Sequence, residues 1–330
     1  MSHLEPPEYD LRGSRHRARH DHPVAPDPYP PLLDDFELSP DRRNGRARRP
    51  APPPPPARTG RAGRNLPAAI LVGSTLGAIV LASLLIWRPA FIGVVVVAAA
   101  IGVWEMARAV ARDGGPRAPL VPLFGGCLAM IPLAWFAGPE ALTLGLVFTV
   151  LAATVWRLAD GPRHYQRDLL AAILIAVYVP FLGAFAVLLD WPEDGALRVI
   201  ATLAAVVLSD TGGYVAGVFF GRTAMAPSVS PKKSWEGTAG ALLIAATGGA
   251  LIFLFLFHVP WWHGALFGLG VSAASILGDL GESLLKRDLK VKDMSNLLPG
   301  HGGLMDRLDS VLFAVPTAFV LFSLLAPPAG

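Results

Sequence analysis

The sequence predicts an all-α integral membrane protein that crosses the bilayer about nine times. Of its 330 residues, 53% are hydrophobic and only 16% are charged, a balance that excludes an ordinary soluble enzyme. The apolar residues form continuous rather than alternating runs, which excludes a membrane β-barrel. The single cysteine, Cys127, excludes an intrachain disulfide, and the absence of a Cys/His cluster argues against zinc.

Residues 1–65 are predicted to be a disordered cytoplasmic tail. They contain 14 prolines and 12 arginines and show no apolar periodicity, so they cannot bury enough apolar surface to fold. Because the tail lacks the apolar stretch of a secretory signal, we expect it to stay on the side where it is made. Its arginines are expected to contact anionic membrane lipids rather than nucleic acid, because the following residues enter the bilayer.

The remaining residues, 66–330, are predicted to form one transmembrane domain. A helix that crosses the hydrocarbon needs about 20 mostly apolar residues, and nine runs approach that length. They cover about 66–87, 90–106, 120–136, 141–156, 169–189, 197–220, 238–257, 261–282 and 310–325.

The distribution of basic residues predicts the orientation of these spans. With the tail in the cytoplasm, 14 of the 16 basic residues beyond it fall on the cytoplasmic side, and only Arg88 and Arg198 fall outside. This partition requires an odd number of spans, with the N-terminus cytoplasmic and the C-terminus outside.

Four aspartates lie in or beside two polar segments on the predicted cytoplasmic side. Asp210 lies within an apolar run, so we expect it to face the bundle interior or a wet cavity with a cation as partner, unless the span ends before it. Asp279 is either a similar carboxylate or an ordinary residue at the end of the eighth span. Asp306 and Asp309, three residues apart, predict a shared magnesium ion, although Arg307 between them offers a plain salt bridge instead.

Other polar residues accompany these aspartates. Glu282 and Lys286 follow Asp279 on one face of the predicted helix. The glycines of residues 299–303 make a helix unlikely there and permit close backbone approach to a ligand. Glu105, near the cytoplasmic end of the second span, is interpreted as an interfacial carboxylate outside the site.

The segment from Ser283 to Asp309 resembles the signature of phosphatidate cytidylyltransferases, also called CDP-diglyceride synthases. Segments 210–214 and 230–237 also look like elements of that family, so the resemblance covers about residues 66–325. The signature positions are Ser283, Leu285, Lys286, Arg287, Lys292, Asp293, Ser295, Leu298, Pro299, His301, Gly302, Gly303, Leu304, Asp306, Arg307 and Asp309.

The resemblance implies that CTP and phosphatidic acid react to CDP-diacylglycerol and pyrophosphate, the committing step of bacterial phospholipid synthesis. It also implies a magnesium requirement, a homodimer, and a plasma-membrane location with the site facing the cytoplasm; a second cation, monovalent or divalent, is left open. Carried over by position, the metal candidates are Asp210, Asp279, Asp306 and Asp309. The catalytic candidates are Lys286, Arg287, Lys292, His301 and Arg307, and the substrate-binding candidates are Lys232, Lys233, Ser283, Gly302 and Gly303.

Two other functions are compatible with parts of the sequence. A CTP-dependent lipid kinase of the polyprenol or phytol type would attack the terminal phosphate and need a base, and the full signature argues against it. A cation-coupled transporter would show paired broken spans in two halves, whereas the charged residues here cluster in the last part of the membrane domain.

Overall fold

The computed structural model describes residues 66–295, 297–298 and 302–327, with side chains from residue 71 onward. The predicted tail and His301 lie outside the described residues. The described chain is almost entirely helical, with one short hairpin. Its elements are α1 Leu66–Ile86, α2 Arg88–Val110, α3 Leu120–Ala159, α4 Tyr165–Ala176, α5 Leu182–Leu189, α6 Gly195–Phe220, β1 Ala224–Ala226, β2 Ser230–Ser234, α7 Trp235–Ile252, α8 Trp261–Asp288 and α9 Met305–Leu325.

Seven helical stretches among the described residues are long and apolar enough to cross a membrane, and the apolar helix Leu71–Ile86 is shorter. The stretch Tyr165–Leu189 joins α4 to α5 through the π-helical segment Val177–Phe181, in which Pro180 cannot donate a backbone hydrogen bond. The prediction of an all-α membrane protein is confirmed. The count of nine spans and the orientation of the termini stay predictions.

Helix α3 folds back on itself at Gly138. A straight helix of its 40 residues would extend about 60 Å, twice the hydrocarbon thickness. Gly138 leaves the helical conformation with φ 78° and ψ −167°, which glycine adopts without a steric penalty. Gly126 lies against Thr149, and Gly145 lies against Met130, so the two arms run antiparallel. The break lies between the predicted runs 120–136 and 141–156.

Two apolar cores flank α9. One is built mainly by α2, α3, α4 and α5, and the other contains a cluster of phenylalanines from the π-helical segment after α7, from α8 and from α9. Leu312 of α9 belongs to the first core and Phe322 to the second. Helix α9, which carries two of the predicted metal ligands, is therefore held from both sides.

The backbones of α7 and α8 touch at glycines. A Cβ on Gly264 would overlap the carbonyl oxygen of Gly249, and a Cβ on Gly268 would overlap that of Ala245. A similar close approach joins α8 to α9, because a Cβ on Gly278 would overlap the carbonyl oxygen of Asp309. Small residues at helix contacts permit this close packing in a bilayer.

A hairpin of β1 and β2, which the sequence analysis did not predict, connects α6 to α7. Its ends are fixed by side chains around the first turn of α7. The hydroxyl of Ser234 accepts the N–H of Gly237 at 3.1 Å, which is an N-terminal cap. The carboxylate of Glu236 accepts the N–H groups of Arg222 and Thr223, both at 3.2 Å. The hairpin therefore holds β2 directly before α7.

Candidate active site

A cavity of about 310 Å³ lies between α6, β2, α7 and α8. Asp210 of α6 and Asp279 of α8 line it, together with Lys232 and Lys233 of β2. Lys233 Nζ lies 2.6 Å from Asp279 Oδ2. Asp210 is exposed at this cavity, as predicted for a carboxylate within an apolar run. The structure thus brings together two predicted metal ligands and two predicted substrate-binding lysines.

One face of α8 carries polar residues away from this cavity towards α9. Asp279, Glu282, Ser283 and Lys286 are spaced by three or four residues, so their side chains leave the helix on the same side. Ser283 Oγ donates to Asp279 Oδ1 at 3.5 Å, and Lys286 Nζ lies 3.2 Å from Glu282 Oε2. The face that the sequence predicted is therefore present.

Lys286 and Asp306 join α8 to the start of α9. Lys286 Nζ lies 3.0 Å from Asp306 Oδ1, and the Asp306 side chain is only 5% exposed. Asp306 Oδ2 accepts the N–H groups of Gly303 at 2.8 Å and Met294 at 3.0 Å. Asp306 therefore holds together parts of the segment between α8 and α9, residues 289–304, which we call the signature loop.

Glycine is required at positions 302 and 303 of the loop for two different steric reasons. Gly302 has a φ of 80°, and a Cβ there would lie 3.0 Å from Asp306 Oδ2. A Cβ on Gly303 would lie 2.8 Å from Glu105 Oε2 and 3.1 Å from the same Asp306 oxygen. Both glycines let the loop close over carboxylates, and their predicted contact with substrate stays a prediction.

Glu105 is not an interfacial carboxylate, and that interpretation was wrong. It is 0% exposed, on α2, and it accepts the N–H groups of Leu304 at 3.0 Å and Met305 at 2.8 Å. Ser295 Oγ donates to it at 2.5 Å. The buried charge is balanced by these donors, because the N–H groups at the start of a helix have no intrahelical partner.

Glu282 and Asp309 form a pair of carboxyl groups that contact each other. Glu282 is 0% exposed, and its Oε1 has no hydrogen-bond partner among the described residues. Asp309 Oδ1 accepts the N–H of Ser310 at 2.6 Å. Two adjacent carboxyl groups need a shared proton or a cation between them. This orphaned oxygen fits a cation-binding role.

Tyr178 adds a second unpaired polar atom near the same carboxylates. It lies in the π-helical segment between α4 and α5, and its ring packs edge-on against Phe313 at 5.9 Å. Its buried hydroxyl has no hydrogen-bond partner within the described ranges, although Glu282 and Asp309 are close enough to act on it electrostatically. π-Helical turns frequently occur at functional sites.

The four predicted metal ligands do not converge on one point in this structure. Asp210 and Asp279 line the cavity, Asp306 contacts Lys286, and Asp309 contacts Glu282. Within the described ranges, no three Asp, Glu, His or Cys side chains form a metal-ligating group. The shared magnesium ion of Asp306 and Asp309 stays a prediction.

Three other predicted cations, Arg287, Lys292 and Arg307, are not among the residues that line the cavity. Arg287 Nε donates to the carbonyl oxygen of Val229 at 3.3 Å and so joins α8 to the hairpin. Lys292 and Arg307 are exposed. The structure does not describe His301, so its role stays a prediction.

A model of the cytidylyltransferase family matches residues 67–325, which is nearly all of the described chain. The chain belongs to the cytidylyltransferase family. The resemblance of the signature is thereby confirmed, and the match begins just after the predicted tail.

Curated relatives of this cytidylyltransferase carry a more specific name. The chain is 40% identical over 280 residues to the phosphatidate cytidylyltransferase of Mycobacterium bovis, covering 81% of this chain and 91% of that protein. It is 42% identical over 287 residues to that of Mycobacterium leprae, covering 81% and 90%. It is 31% identical over 283 residues to that of Haemophilus influenzae, covering 75% and 95%.

Sequence reasoning missed two carboxylates of the cytidylyltransferase site. Glu282 was placed on the correct helical face but not among the ligands, although a glutamate three residues after Asp279 was a usable signal. Glu105 gave a weaker signal, since it is an acidic residue near the end of an apolar run. Its partners lie about 200 residues away, and only the fold reveals them.

Proposed function

We propose that this cytidylyltransferase transfers CMP from CTP to phosphatidic acid and releases pyrophosphate, giving CDP-diacylglycerol. The observation that carries the proposal is the cavity in which Lys232 and Lys233 meet Asp210 and Asp279. The two lysines suit the phosphate groups of a nucleotide, and the two carboxylates suit the metal ion that accompanies it. The family match and the names of the relatives support the same reaction.

The chemistry of the nucleophile explains why no strong base is required. The second pKa of a phosphate monoester is about 6, so phosphatidic acid is largely dianionic at neutral pH. The difficulty is electrostatic, because two polyanions must meet and negative charge then develops on the leaving pyrophosphate. Fixed cations address both problems in the transition state.

The lysines of β2 are assigned to the phosphates of CTP. Lys233 is 24% exposed and is held by Asp279 at 2.6 Å. When phosphates engage Lys233, Asp279 loses its cationic partner and becomes available beside Asp210. Lys286, half-buried between Glu282 and Asp306, instead joins α8 to α9 as long as no metal ion is bound.

Magnesium is part of the proposal. The residues that would hold it are Asp210, Asp279 and Asp309, with Glu282 as an additional donor, because oxygen-only ligand sets suit magnesium. Asp306 is proposed to act as a ligand only after Lys286 moves, since that lysine now occupies one of its oxygens. A bound magnesium ion would neutralise charge between the reacting phosphates.

The cavity extends from the β2 lysines, just before α7, to Asp210, ten residues before the end of α6, which suits substrates from two phases. The headgroup of phosphatidic acid can reach it from the bilayer surface while CTP arrives from water. We propose that the cavity faces the cytoplasm and that the protein is a homodimer in the bacterial plasma membrane. In a Cys127→Ser background, an impermeant thiol reagent added outside should label a cysteine at Asp194 and spare one at Ser295; the reverse pattern refutes this orientation.

The decisive experiment follows the phosphorus atoms of CTP. The purified protein is incubated with phosphatidic acid, magnesium and CTP labelled at either the alpha or the gamma phosphorus. Alpha label in the lipid and gamma label in pyrophosphate support the proposal. Gamma label in the lipid would overturn it in favour of a CTP-dependent lipid kinase.

A further inference from the structure

A second polar cavity, of about 370 Å³, lies where the α2–α3 connection meets the α3–α4 connection. The residues that line it are different from those that line the candidate active-site cavity. Its ionisable lining residues are Arg117, Arg157, Arg163, His164, Arg167 and Asp168.

The positive charge around this cavity exceeds the negative charge. Asp168, buried at 5% exposure, is the only carboxylate among the described lining residues. Both of its oxygens are engaged, Oδ2 by Arg157 Nη2 at 2.7 Å and Oδ1 by the backbone N–H of Arg117 at 2.7 Å. Arg157 also pairs with Asp160, which does not line the cavity, at 2.7 Å. The carboxylates thus partner Arg157, and the guanidinium groups of the other three lining arginines form no ion pair with any described residue.

Several guanidinium donors at the cavity lack a strong acceptor. Arg157 is only 12% exposed, yet its Nε has no hydrogen-bond partner in the described part of the chain. Arg167 Nη1 reaches only the carbonyl oxygen of Gly114, at 3.2 Å. The side chains of Arg117 and Arg163 form no ion pair with any described residue. Guanidinium groups bind phosphate oxygens with charge-assisted, often bidentate hydrogen bonds.

The surroundings of the cavity suit the surface of a bilayer. An adjoining cavity shares His164 and Arg167 with it and is also lined by Leu158 and Tyr165. Leu158 is 61% exposed, at the end of a membrane-spanning stretch. A phosphate group in the arginine cavity could therefore belong to a lipid whose chains lie against this apolar edge.

We propose that the arginine cavity is a second, non-catalytic site that binds a phosphate group, carried either by an anionic lipid headgroup or by a soluble phosphate. The rule that places basic residues on the cytoplasmic side explains why arginines occur in these loops. It does not explain why four of them surround one cavity, or why the Nε of Arg157 is buried there without a partner among the described residues. The site lies beyond the end of α2 near which Glu105 contacts α9, so it faces the same side as the active site.

The test is calorimetric titration of the full purified chain in maltoside micelles without CTP or magnesium. The ligands are dihexanoyl phosphatidylglycerol, inorganic phosphate and zwitterionic dihexanoyl phosphatidylcholine. Phosphatidylglycerol has no free phosphate monoester and so cannot replace phosphatidic acid as the nucleophile. The test variant is Arg163→Gln/Arg167→Gln, in which both changed side chains are exposed. Its control is Arg112→Gln, another exposed arginine of these connections that does not line the cavity.

We expect saturable binding of phosphatidylglycerol or inorganic phosphate that weakens about tenfold or more in the double variant, because two charge-assisted contacts are removed. The Arg112→Gln variant should bind like the parent. Saturation by the lipid alone identifies a headgroup site, and saturation by inorganic phosphate as well identifies a site for soluble anions. Equal binding by parent and double variant, equal binding of phosphatidylcholine, or no saturable binding of either anion overturns the proposal.

Discussion

The carboxylate of Glu105 on α2 accepts a hydrogen bond from the backbone N–H of Met305 at 2.8 Å, although the two residues are 200 positions apart. Leu304, the residue before α9, gives no side-chain cap within the described chain. Glu105 therefore supplies from another helix the acceptor that a local cap would otherwise provide. Asp306 and Asp309 lie in the first turns of α9. The contact from α2 therefore fixes the start of the helix that carries both aspartates.

Replacing Glu105 by glutamine should impair both folding and activity. The amide keeps the size but loses the charge, and one of its two heteroatoms becomes a donor facing other donors. Hydrogen bonds to a charged group contribute about 1.5–3 kcal/mol each, so the unfolding midpoint and turnover should both fall clearly. The exposed Glu140→Gln is the matched control and should change neither. Activity of Glu105→Gln within twofold of the parent would show that the contact is dispensable.

Adding one methyl group to the signature loop should show how much turnover depends on close packing there, because the substitution changes no charge. In Gly303→Ala the new Cβ would lie 2.8 Å from Glu105 Oε2, so the loop or the carboxylate must move. We expect a loss of turnover of at least about tenfold, corresponding to about 1.4 kcal/mol. Gly281→Ala is the control, since a Cβ there meets no described atom within 4 Å and alanine favours the helix. Equal activities of the two variants would contradict the close contact at Gly303.

Asp306→Asn and Asp309→Asn should both lower turnover by about 10² to 10³ if each carboxylate serves the reaction. Their effects on stability without metal should have opposite signs. The amide in Asp309→Asn can donate to the unpaired Oε1 of Glu282 and removes the need for a shared proton or cation, so this variant should unfold at a higher temperature in EDTA. Asp306→Asn loses its ion pair with Lys286 and should unfold at a lower temperature.

The assignment of Asp309 has its own test. Turnover of Asp309→Asn within fivefold of the parent at saturating magnesium would exclude it as a metal ligand. A drop in its unfolding temperature in EDTA would instead show that the pair of Glu282 and Asp309 is not a source of instability in the absence of metal.

Stability should depend on pH through Asp190, which follows α5 at the other end of the bundle. Burial raises the pKa of this carboxyl from 3.8 to about 6, although Arg88, at 3.2 Å, opposes the rise. The folded state therefore holds the proton more tightly than the unfolded state, so stability should fall as pH rises from about 4 to about 6 and then level off. Unfolding midpoints in this range should lose that slope in Asp190→Asn and keep it in Glu140→Gln; an unchanged slope in Asp190→Asn would refute the assignment.

Deleting residues 1–60 should leave turnover nearly unchanged. The family match starts at residue 67, and the contacts of the candidate site all lie between Glu105 and Phe313. Activity is measured at equal abundance in the membrane. A loss greater than tenfold would show that the tail contributes to the site or to assembly.

The apolar runs predicted the helices well because each membrane-spanning helix needs a continuous apolar stretch of nearly fixed length. The reversal of α3 could be anticipated from the polar break around Gly138 and Pro139. The hairpin before α7 could not, because its strands have only three and five residues and no alternating pattern. The π-helical segments were also unpredictable, since they leave no periodic signal in the sequence.

The candidate site was predictable where it depends on local spacing. Asp279 and Lys286 lie on one face of α8 because helical geometry places residues seven apart together. Contacts between distant segments were not predictable, since the sequence carries no measure of which helix lies beside which. The pairing of Asp306 with Lys286 and the burial of Glu105 are of this kind.

The glycine contacts between α7 and α8 also govern how the enzyme can move. With the carbonyl oxygens of Gly249 and Ala245 seated directly on α8, no layer of side chains remains over which the two helices could slide. Lys233 lies two residues before α7, and Asp279 belongs to α8. The two helices should therefore move together as one rigid body. Any closure around the nucleotide must then come from hinges outside this pair.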